Sequence, residues 1–556
     1  MLARRTAALL LGILGCATLL SGLWHLLAAD GVTALDLAFL AAIALLAPWM
    51  ALASVNAWLG LAILFCVPDP AAHVAPPLRS PARGIPRGRT AVAVCLRHEP
   101  MGSVRRNLAP LLAGLPPGLF DFWLLSDSQD AAFQAEEAAA AEGLSAEHPT
   151  QRIRLRRRTS RAGFKAGNVM DFLDGEGKDY TYLLCLDADS EMSADAVWRL
   201  LRAMEGSPRV AIMQQLIAGR PVVAAFPRLF QFGMRAGMRA WATGQGWWQG
   251  PQGPFWGHNA LIRIAPFREH GRLEALPDGS TILSHDQVEA ARLHSAGWEV
   301  WCVPEEQGSL EGNPPALPEF MARDLRWAEG NMQYAALIGL PGLSAMARAQ
   351  LLQAMLLFTC APVWVLAFVL AAAIAATGGF AMIPGAMLAA AMLALWLAQH
   401  APKLGGYAQL LVQGREAARY GGRRAVLAGA AAEITFTTLF SPISNFNKAR
   451  FLLALPFGAS RGWQPQNRDG HGVSWRDAAR LLWPHTLAGV AAFLFLGVTA
   501  PWAIGFAIPW AGGLVVAIPF CVLTASPRFG QWLAARGIAA TPEEVQAASR
   551  EGSVLP

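Results

Sequence analysis

A chain of 556 residues that is 54% hydrophobic and only 15% charged is too apolar for an ordinary soluble enzyme. The formal net charge of +6 is mild; basic loops beside membrane segments account for it, and it calls for no nucleic-acid partner. Seven scattered cysteines show no paired spacing for zinc or a redox motif, so they read as buried thiols in a reducing compartment.

The apolar mass gathers at the two ends. Thr6 to Ala28 and Leu35 to Val67 open the chain, and Leu351 to Thr377, Ala381 to Ala398, Ala425 to Leu455 and Thr486 to Ser526 follow later. Each is near or above the roughly 20 residues that cross a bilayer, and the longest read as two spans or as a span with an interfacial piece. About seven or eight spans are predicted. The stretch from Arg4 to Cys16 imitates a secretory signal, but the second apolar segment argues against cleavage. Arg4 and Arg5 place the amino terminus inside, and two crossings return the chain to the cytoplasm. The basic segments Lys403 to Arg424 and Lys448 to Arg480 also belong inside, so Ala425 to Leu455 is expected to enter and leave on one side. Four parts result: membrane helices in 1–67, a cytoplasmic domain in 68–342, a second membrane block in 343–526 and a cytoplasmic tail in 527–556.

Within the cytoplasmic part a Pro/Arg/Gly-rich linker, Pro76 to Arg89, precedes a strand from Thr90 to Leu96 and a helix from Ser103. Phe120 to Ser128 is a second strand ending in an acid, and Ala131 to Glu142 is helical. Tyr180 to Leu186 is a third strand, and Ala194 to Glu205 another helix. Strands alternating with helices predict a doubly wound α/β sheet, whose ligands bind outside the carboxyl ends of the strands. Glu99, Asp127, Asp187 and Asp189 then converge on one edge. Alternation along the strand end would point Asp187 and Asp189 the same way, suited to a divalent cation that grips a diphosphate. Taken alone, an Asp-x-Asp more often forms an acidic turn that caps a helix. In the run Arg152, Arg154, Arg156, Arg157, Arg158 and Arg161 the outermost arginines read as a solvated charged face. Lys165, just before Gly167, is placed to help hold phosphates.

The ordered set Glu99, Ser126-Asp127-Ser128, Lys165-Ala166-Gly167-Asn168, Asp187-Ala188-Asp189, Ser284-His285-Asp286 and Arg323-Asp324-Leu325-Arg326-Trp327 resembles that of the processive, inverting, membrane-embedded glycosyltransferases, which include cellulose, chitin and hyaluronan synthases. Phe255 to Ala260, Leu283 to Asp286, Ala296 to Trp301 and the Trp463 to Trp475 segment are most similar to the bacterial branch that builds the backbone of osmoregulated periplasmic glucans. The chain departs from the cellulose synthases by Arg323 in a Gln position and by Ser284-His285 in place of Thr-Glu. It departs from the periplasmic-glucan branch at Cys95 and Arg97-His98, and it has no counterpart of the long amino-terminal extension of well-known members.

The resemblance implies a GT-A type, Rossmann-like α/β catalytic domain, cytoplasmic, inserted between α-helical transmembrane blocks of the bacterial inner membrane. It implies that Glu99 and Asp127 recognise uridine, with Lys165 and Asn168 beside the nucleotide, and that Asp187 and Asp189 manage the diphosphate, Asp189 through Mg2+ or Mn2+. Asp286 is implied as the base, Arg326 as a diphosphate contact and Trp327 as an acceptor platform; Arg323 is either a second phosphate contact or a surface salt bridge. Trp256 and His258 are placed in the donor or acceptor pocket, and Trp247, Trp248, Trp298 and Trp301 offer further faces for sugar rings, several of them packing residues. Without the resemblance, Asp286 reads as a helix cap and Arg326-Trp327 as a membrane-interface anchor. The expected partners are UDP-glucose, the growing glucan and the lipid bilayer. The resemblance also points to acyl carrier protein and periplasmic glucan-processing proteins. Ser441 to Asn445 and Trp463 to Trp475 are candidates for channel or gate elements. Competing readings are another polysaccharide synthase of the same fold and a nucleotide-regulated transporter.

Overall fold

The computed structural model describes residues 1–29, 31–276, 278–381, 383–462, 470 and 472–550. Three continuous apolar runs form the middle of a sheet: β1 (Thr90–Leu96), β2 (Phe120–Ser126) and β4 (Tyr182–Asp187). They are buried along almost their whole length because helices cover both faces, which is why they read as unbroken hydrophobic runs. With β3 (Arg152–Arg157), β6 (Val210–Gln215), β8 (Ala260–Arg263) and β9 (Glu299–Val303) they make a seven-stranded sheet in the order β3-β2-β1-β4-β8-β6-β9. Only β8 runs against its neighbours, so the expected doubly wound sheet is mixed rather than wholly parallel.

The arginine run holds a strand that its charges concealed, with Arg152, Arg154 and Arg157 exposed. Arg152–Arg157 is the edge strand β3, paired in parallel with β2, and an edge position tolerates the charges that hid it. Arg154 lies over the Trp123 ring at 5.2 Å, and Arg156 pairs with Asp171 at 3.0 Å and Glu176 at 2.8 Å.

Register explains where a ligand would sit. Leu96 lies beside Ser126 and Cys95 beside Asp187, so β1, β2 and β4 end level with one another. A second, three-stranded sheet joins β5 (Glu191–Met192), β7 (Ala218–Gly219) and β10 (Ser309–Glu311) in the order β5-β10-β7. Since β5 starts two residues after Asp189, β10 brings Glu311 and Gly312 to that acid.

Six helices among the described residues are long and apolar enough to cross a membrane: Leu2–Leu27, Ala34–Cys66, Ala345–Ala376, Gly385–Val412, Arg423–Phe457 and Trp475–Thr499. A pair bent by 61°, Pro501–Val515 with Ala517–Thr524, brings the count to seven. The expectation that Ala425 to Leu455 turns back on itself is overturned, since Arg423–Ala454 is one continuous helix. Pro442 and its polar neighbours do not interrupt it, because a buried helix re-satisfies a freed carbonyl through surrounding groups.

The helix Ala225–Gln249 packs between the sheet and the long apolar helices. A methyl group at Gly60 would lie 1.9 Å from the Ala240 carbonyl oxygen, and one at Gly244 2.0 Å from that of Asn56. Small residues thus let this helix and Ala34–Cys66 touch backbone to backbone. The carboxyl-terminal segment is no loose tail. Glu543 and Glu544, on the helix Pro542–Arg550, pair with Arg235 at 2.8 Å and Arg228 at 2.6 Å, two guanidiniums almost wholly buried on Ala225–Gln249.

Candidate active site

At the end of β2, Asp127 emerges between two serines. Both hydroxyls donate to the fully buried Glu137, Ser126 at 2.7 Å and Ser128 at 2.6 Å, which fixes the turn. Glu137 shares the helical register of Ala140, Ala141 and Leu144, and a glutamate on an apolar face was the signal that would have found it. Asp127 itself is held by Arg158 through two bonds of 2.7 and 2.8 Å, a fork-to-fork pair. The same guanidinium donates to the carbonyls of Phe164 at 2.7 Å and Ala162 at 3.0 Å, so it also shapes the loop that leads to Lys165. Arg158 therefore leaves the solvated set to which its neighbours assigned it; its side chain is 4% exposed. Glu99 follows His98, whose φ of 58° turns the chain after β1.

Lys165 makes an ion pair with Asp187 and donates to the Gly257 carbonyl at 2.9 Å. Burial disfavours its charge, but the Asp187 carboxylate overrides this and raises its pKa above the usual lysine value. Asn168, three residues on, is buried; it donates to the Leu125 carbonyl at 3.1 Å and accepts from Arg156 at 3.4 Å, so its amide is turned to the scaffold.

β4 ends at Asp187, and residues 188–190 form a turn in which the Asp187 N–H donates to Ser190 Oγ at 3.0 Å. Both acids lie near enough to Glu311 to act on it, and each has a further neighbour of its own. Asp187 faces Lys165. Asp189 faces the Gly312 backbone, where a methyl group would sit 3.4 Å from its Oδ2 and 3.5 Å from Arg220 Nη2. His258 bridges this edge, with Nδ1 3.2 Å from Ser190 Oγ and Nε2 3.4 Å from Glu311 Oε2. Glu311 was invisible in the sequence, since only the pairing of β10 with β5 brings it here. Burial raises its pKa, His258 and Arg323 oppose the rise, and Asp189 and Asp187 add to it.

The donor set suits a hard divalent cation. Among the described residues no three His, Cys, Asp or Glu side chains gather closely enough to cage a metal. A cation of the Mg2+ type needs no such cage, because it takes one or two carboxylates and completes its shell with substrate phosphates and water. Asp189, with the side-chain-free space at Gly312 beside it, fits that requirement.

The opposite wall comes from the turn before the helix Asp286–Ser295. Gly257 has a φ of 84°, and a methyl group on it would lie 3.5 Å from Asp286 Cβ, 3.8 Å from His285 Cε1 and 3.8 Å from Lys165 Nζ. The glycine thus marks the point where Lys165 meets the His285–Asp286 turn, two parts of the chain far apart in sequence. Burial raises the Asp286 pKa above its ordinary value, with His285 pulling it down and Glu289 pushing it up.

Arg323, Arg326 and Trp327 sit on the helix Leu317–Met332. Arg323 lies over the Trp327 ring at 4.6 Å, Arg326 is buried, and Trp327 keeps 42% of its surface open. Asp324, between them, reaches Lys448 at 3.3 Å and Ser444 at 3.4 Å, tying this helix to Arg423–Ala454. The other aromatic candidates are half-buried or buried and each has a neighbour in the scaffold, Trp247 lying under Arg4 at 5.1 Å. Trp256 packs with Leu216, Ala242 and Cys302, Trp301 and Trp298 belong to the sheet's two cores, and Trp248 donates to Asn56 at 2.8 Å. Most of the Trp463 to Trp475 segment lies outside the described residues.

Comparison with known proteins places the chain among glycosyltransferases. The profile of glycosyl transferase family group 2 matches residues 182–398. Glucans biosynthesis glucosyltransferase H of Xanthomonas campestris pv. campestris (strain B100) is 34% identical over 451 residues, covering 77% of this chain and 69% of its own. The protein of that name from Xanthomonas euvesicatoria pv. vesicatoria (strain 85-10) is 32% identical over 558 residues, covering 95% and 84%. A third, from Caulobacter vibrioides (strain NA1000 / CB15N), is 32% identical over 496 residues, covering 82% and 72%. Among solved structures, mannosyltransferase PcManGT from Pyrobaculum calidifontis, in complex with GDP-Man and Mn2+, overlaps 65% of this chain and 98% of its own at a TM-score of 0.40 and 16% identity, too loosely to inform the site.

Proposed function

This chain belongs to the glucans biosynthesis glucosyltransferase H family, and from that premise we propose that it polymerises glucose from UDP-glucose into the β-(1→2)-linked backbone of osmoregulated periplasmic glucans. That it is a membrane-associated glycosyltransferase of glucan biosynthesis follows from the relatives, the family profile and the helices. The observation that carries the finer reading is the meeting of Asp286 with Lys165 at Gly257, Lys165 being paired in turn with Asp187.

In this reading, inversion requires a base on the face of the sugar opposite the leaving group. Asp286 takes the proton of the acceptor hydroxyl as its oxygen attacks the anomeric carbon and the bond to the diphosphate breaks. On the other side Lys165 and Arg326 offer fixed positive charge to the departing diphosphate, Arg326 through a fork of donors. Mg2+ or Mn2+, held by Asp189 with Asp187 beside it, would supply further charge neutralisation there. Glu99 and the Asp127–Arg158 pair frame the nucleoside end, and Asn168 fixes the helix that carries Lys165. The open face of Trp327 takes the acceptor sugar, and His258, bridging Ser190 and Glu311, shapes the pocket wall.

UDP-glucose is charged and cytoplasmic, which supports a catalytic domain facing the cytoplasm of a bacterial inner membrane. Export of the polar product rests on the family likeness; the cavity of about 180 Å3 among the membrane helices is lined mainly by apolar side chains such as Leu26, Phe39 and Phe368, with Gln399, Ser441 and Asn445 in its polar part. Acyl carrier protein and periplasmic glucan-processing proteins enter as partners through the family likeness alone. A coupled UDP-release assay on the purified full chain, run across UDP-glucose, UDP-galactose, UDP-N-acetylglucosamine and GDP-mannose, tests the donor. Turnover is expected with UDP-glucose; turnover confined to another donor, or to none, would refute the reading.

A further inference from the structure

The turn that presents Asp286 carries a second device. His285 Nδ1 lies 3.0 Å from Glu289 Oε2, one helical turn on, and Glu289 is buried with 3% of its side chain exposed. The turn is braced from behind. Tyr334 Oη donates to the Ser284 carbonyl at 2.8 Å, the Leu283 N–H donates to Gln333 Oε1 at 2.8 Å, and Gly330 packs so closely that a methyl group would meet Ser284 Oγ at 2.3 Å. The imidazole is thereby held on the side of the Gly257 turn where Asp286 and Lys165 also arrive.

We propose that His285, anchored by Glu289, is a positioning residue for glycosyl transfer: its imidazolium supplies a cationic neighbour to the half-buried Asp286 carboxylate. The proposal rests on Asp286 being the base. An ionised carboxylate in a desolvated pocket takes up a proton readily unless an opposite charge stands close by. The charged and titratable groups facing His285 are Glu289 and Asp286 from its own helix, Lys165 across the Gly257 turn and Tyr334 behind Ser284. Burial disfavours the imidazolium, Glu289 and Asp286 favour it, Lys165 disfavours it, and the balance raises the His285 pKa above 6.5. Tyr334 is neutral, its own pKa raised well above 10.0 mainly by burial.

The sign is definite. Asp286 must be deprotonated to act, and a neighbouring cation lowers its hold on the proton. Removing the cation moves the acid limb of the rate profile to higher pH.

The test is kcat against pH, from about 5.5 to 9, for the full chain in detergent, with the KM for UDP-glucose followed alongside. His285→Gln keeps a hydrogen bond to Glu289 but carries no charge; its acid limb is expected to rise by about one pH unit, a roughly tenfold loss at the acid end with KM and the alkaline plateau kept. His285→Lys, which restores a cation, is expected to bring the limb back. A limb that stays in place in His285→Gln, or a uniform loss with raised KM in both variants, would overturn the proposal. Asp286→Asn is run in parallel: wild-type turnover in that variant removes the base itself, whereas an inactive Asp286→Asn beside an unshifted His285→Gln removes only the role of His285.

Discussion

Arg158 offers a sharp quantitative test, since its assignment reverses what its sequence context implied. Arg158→Ala deletes a guanidinium that is 4% exposed and faces Asp127, itself 8% exposed, across bonds of 2.7 and 2.8 Å. Breaking a buried pair from one side strands the other charge and costs about 3–5 kcal/mol. The two carbonyl contacts, to Phe164 and Ala162, add about 1 kcal/mol each. A loss of roughly 5–7 kcal/mol by this sum is an upper figure, because Asp127 can take a proton or water can enter. The assay is a double-mutant cycle of Arg158→Ala and Asp127→Asn, read by denaturant unfolding of the detergent-solubilised protein. A coupling of about 2 kcal/mol or more is expected, with the double variant little worse than Arg158→Ala alone. Additive losses would show that the pair is not a unit and would refute the reasoning. UDP binding to Arg158→Lys gives a second readout: lysine keeps the charge but not the fork, so affinity should fall while the fold persists.

Three further outcomes follow from the same geometry. Asp286→Asn should reduce glucan synthesis by at least about a hundredfold, within the range a positioned base contributes, while UDP binding measured by calorimetry is unchanged. Because burial raises the Asp286 pKa, its ionised form costs folding stability above that raised value and the cost vanishes as pH falls below the ordinary 3.8. Asp286→Asn should therefore match or exceed the parent in Tm at neutral pH, and a marked drop would count against the burial argument. Glu543→Gln combined with Glu544→Gln removes both counter-charges from buried Arg235 and Arg228; limited proteolysis should then cut near Pro542 sooner than in the parent. Gly244→Val places a side chain against the Asn56 carbonyl, where even a methyl group would lie 2.0 Å away, and should sharply reduce the folded yield measured by size-exclusion chromatography.

What could be read in the chain depended on distance along it. β1, β2 and β4 were legible because buried parallel strands are continuous apolar runs, and their aligned ends placed Asp127 and Asp187 on one edge. β3 was hidden by its arginines, whose charge an edge strand permits. The helix at Arg423–Ala454 was misread because positive loops were taken to fix both its ends on one side, whereas Lys448 lies within the helix and is spent on Asp324. Within the site, Lys165 and Asp286 were found through motif order, but their meeting at Gly257 was not, since a glycine with no side chain advertises nothing. Glu289 and Glu311 were missed, and Arg158 was left among the surface charges, for a common reason: each is defined by a partner that only the folded chain supplies; Glu137 differs, since its place on an apolar helix face marked it.

In the function proposed, Asp286 and the Lys165–Asp187 edge join glucose units from UDP-glucose through β-(1→2) bonds. The decisive measurement is linkage analysis of the polymer made from labelled UDP-glucose by vesicles containing the full chain. β-(1→2)-linked glucan is expected; a labelled polymer with β-(1→4) or α linkages, or no polymer despite bound UDP-glucose, would rule that function out.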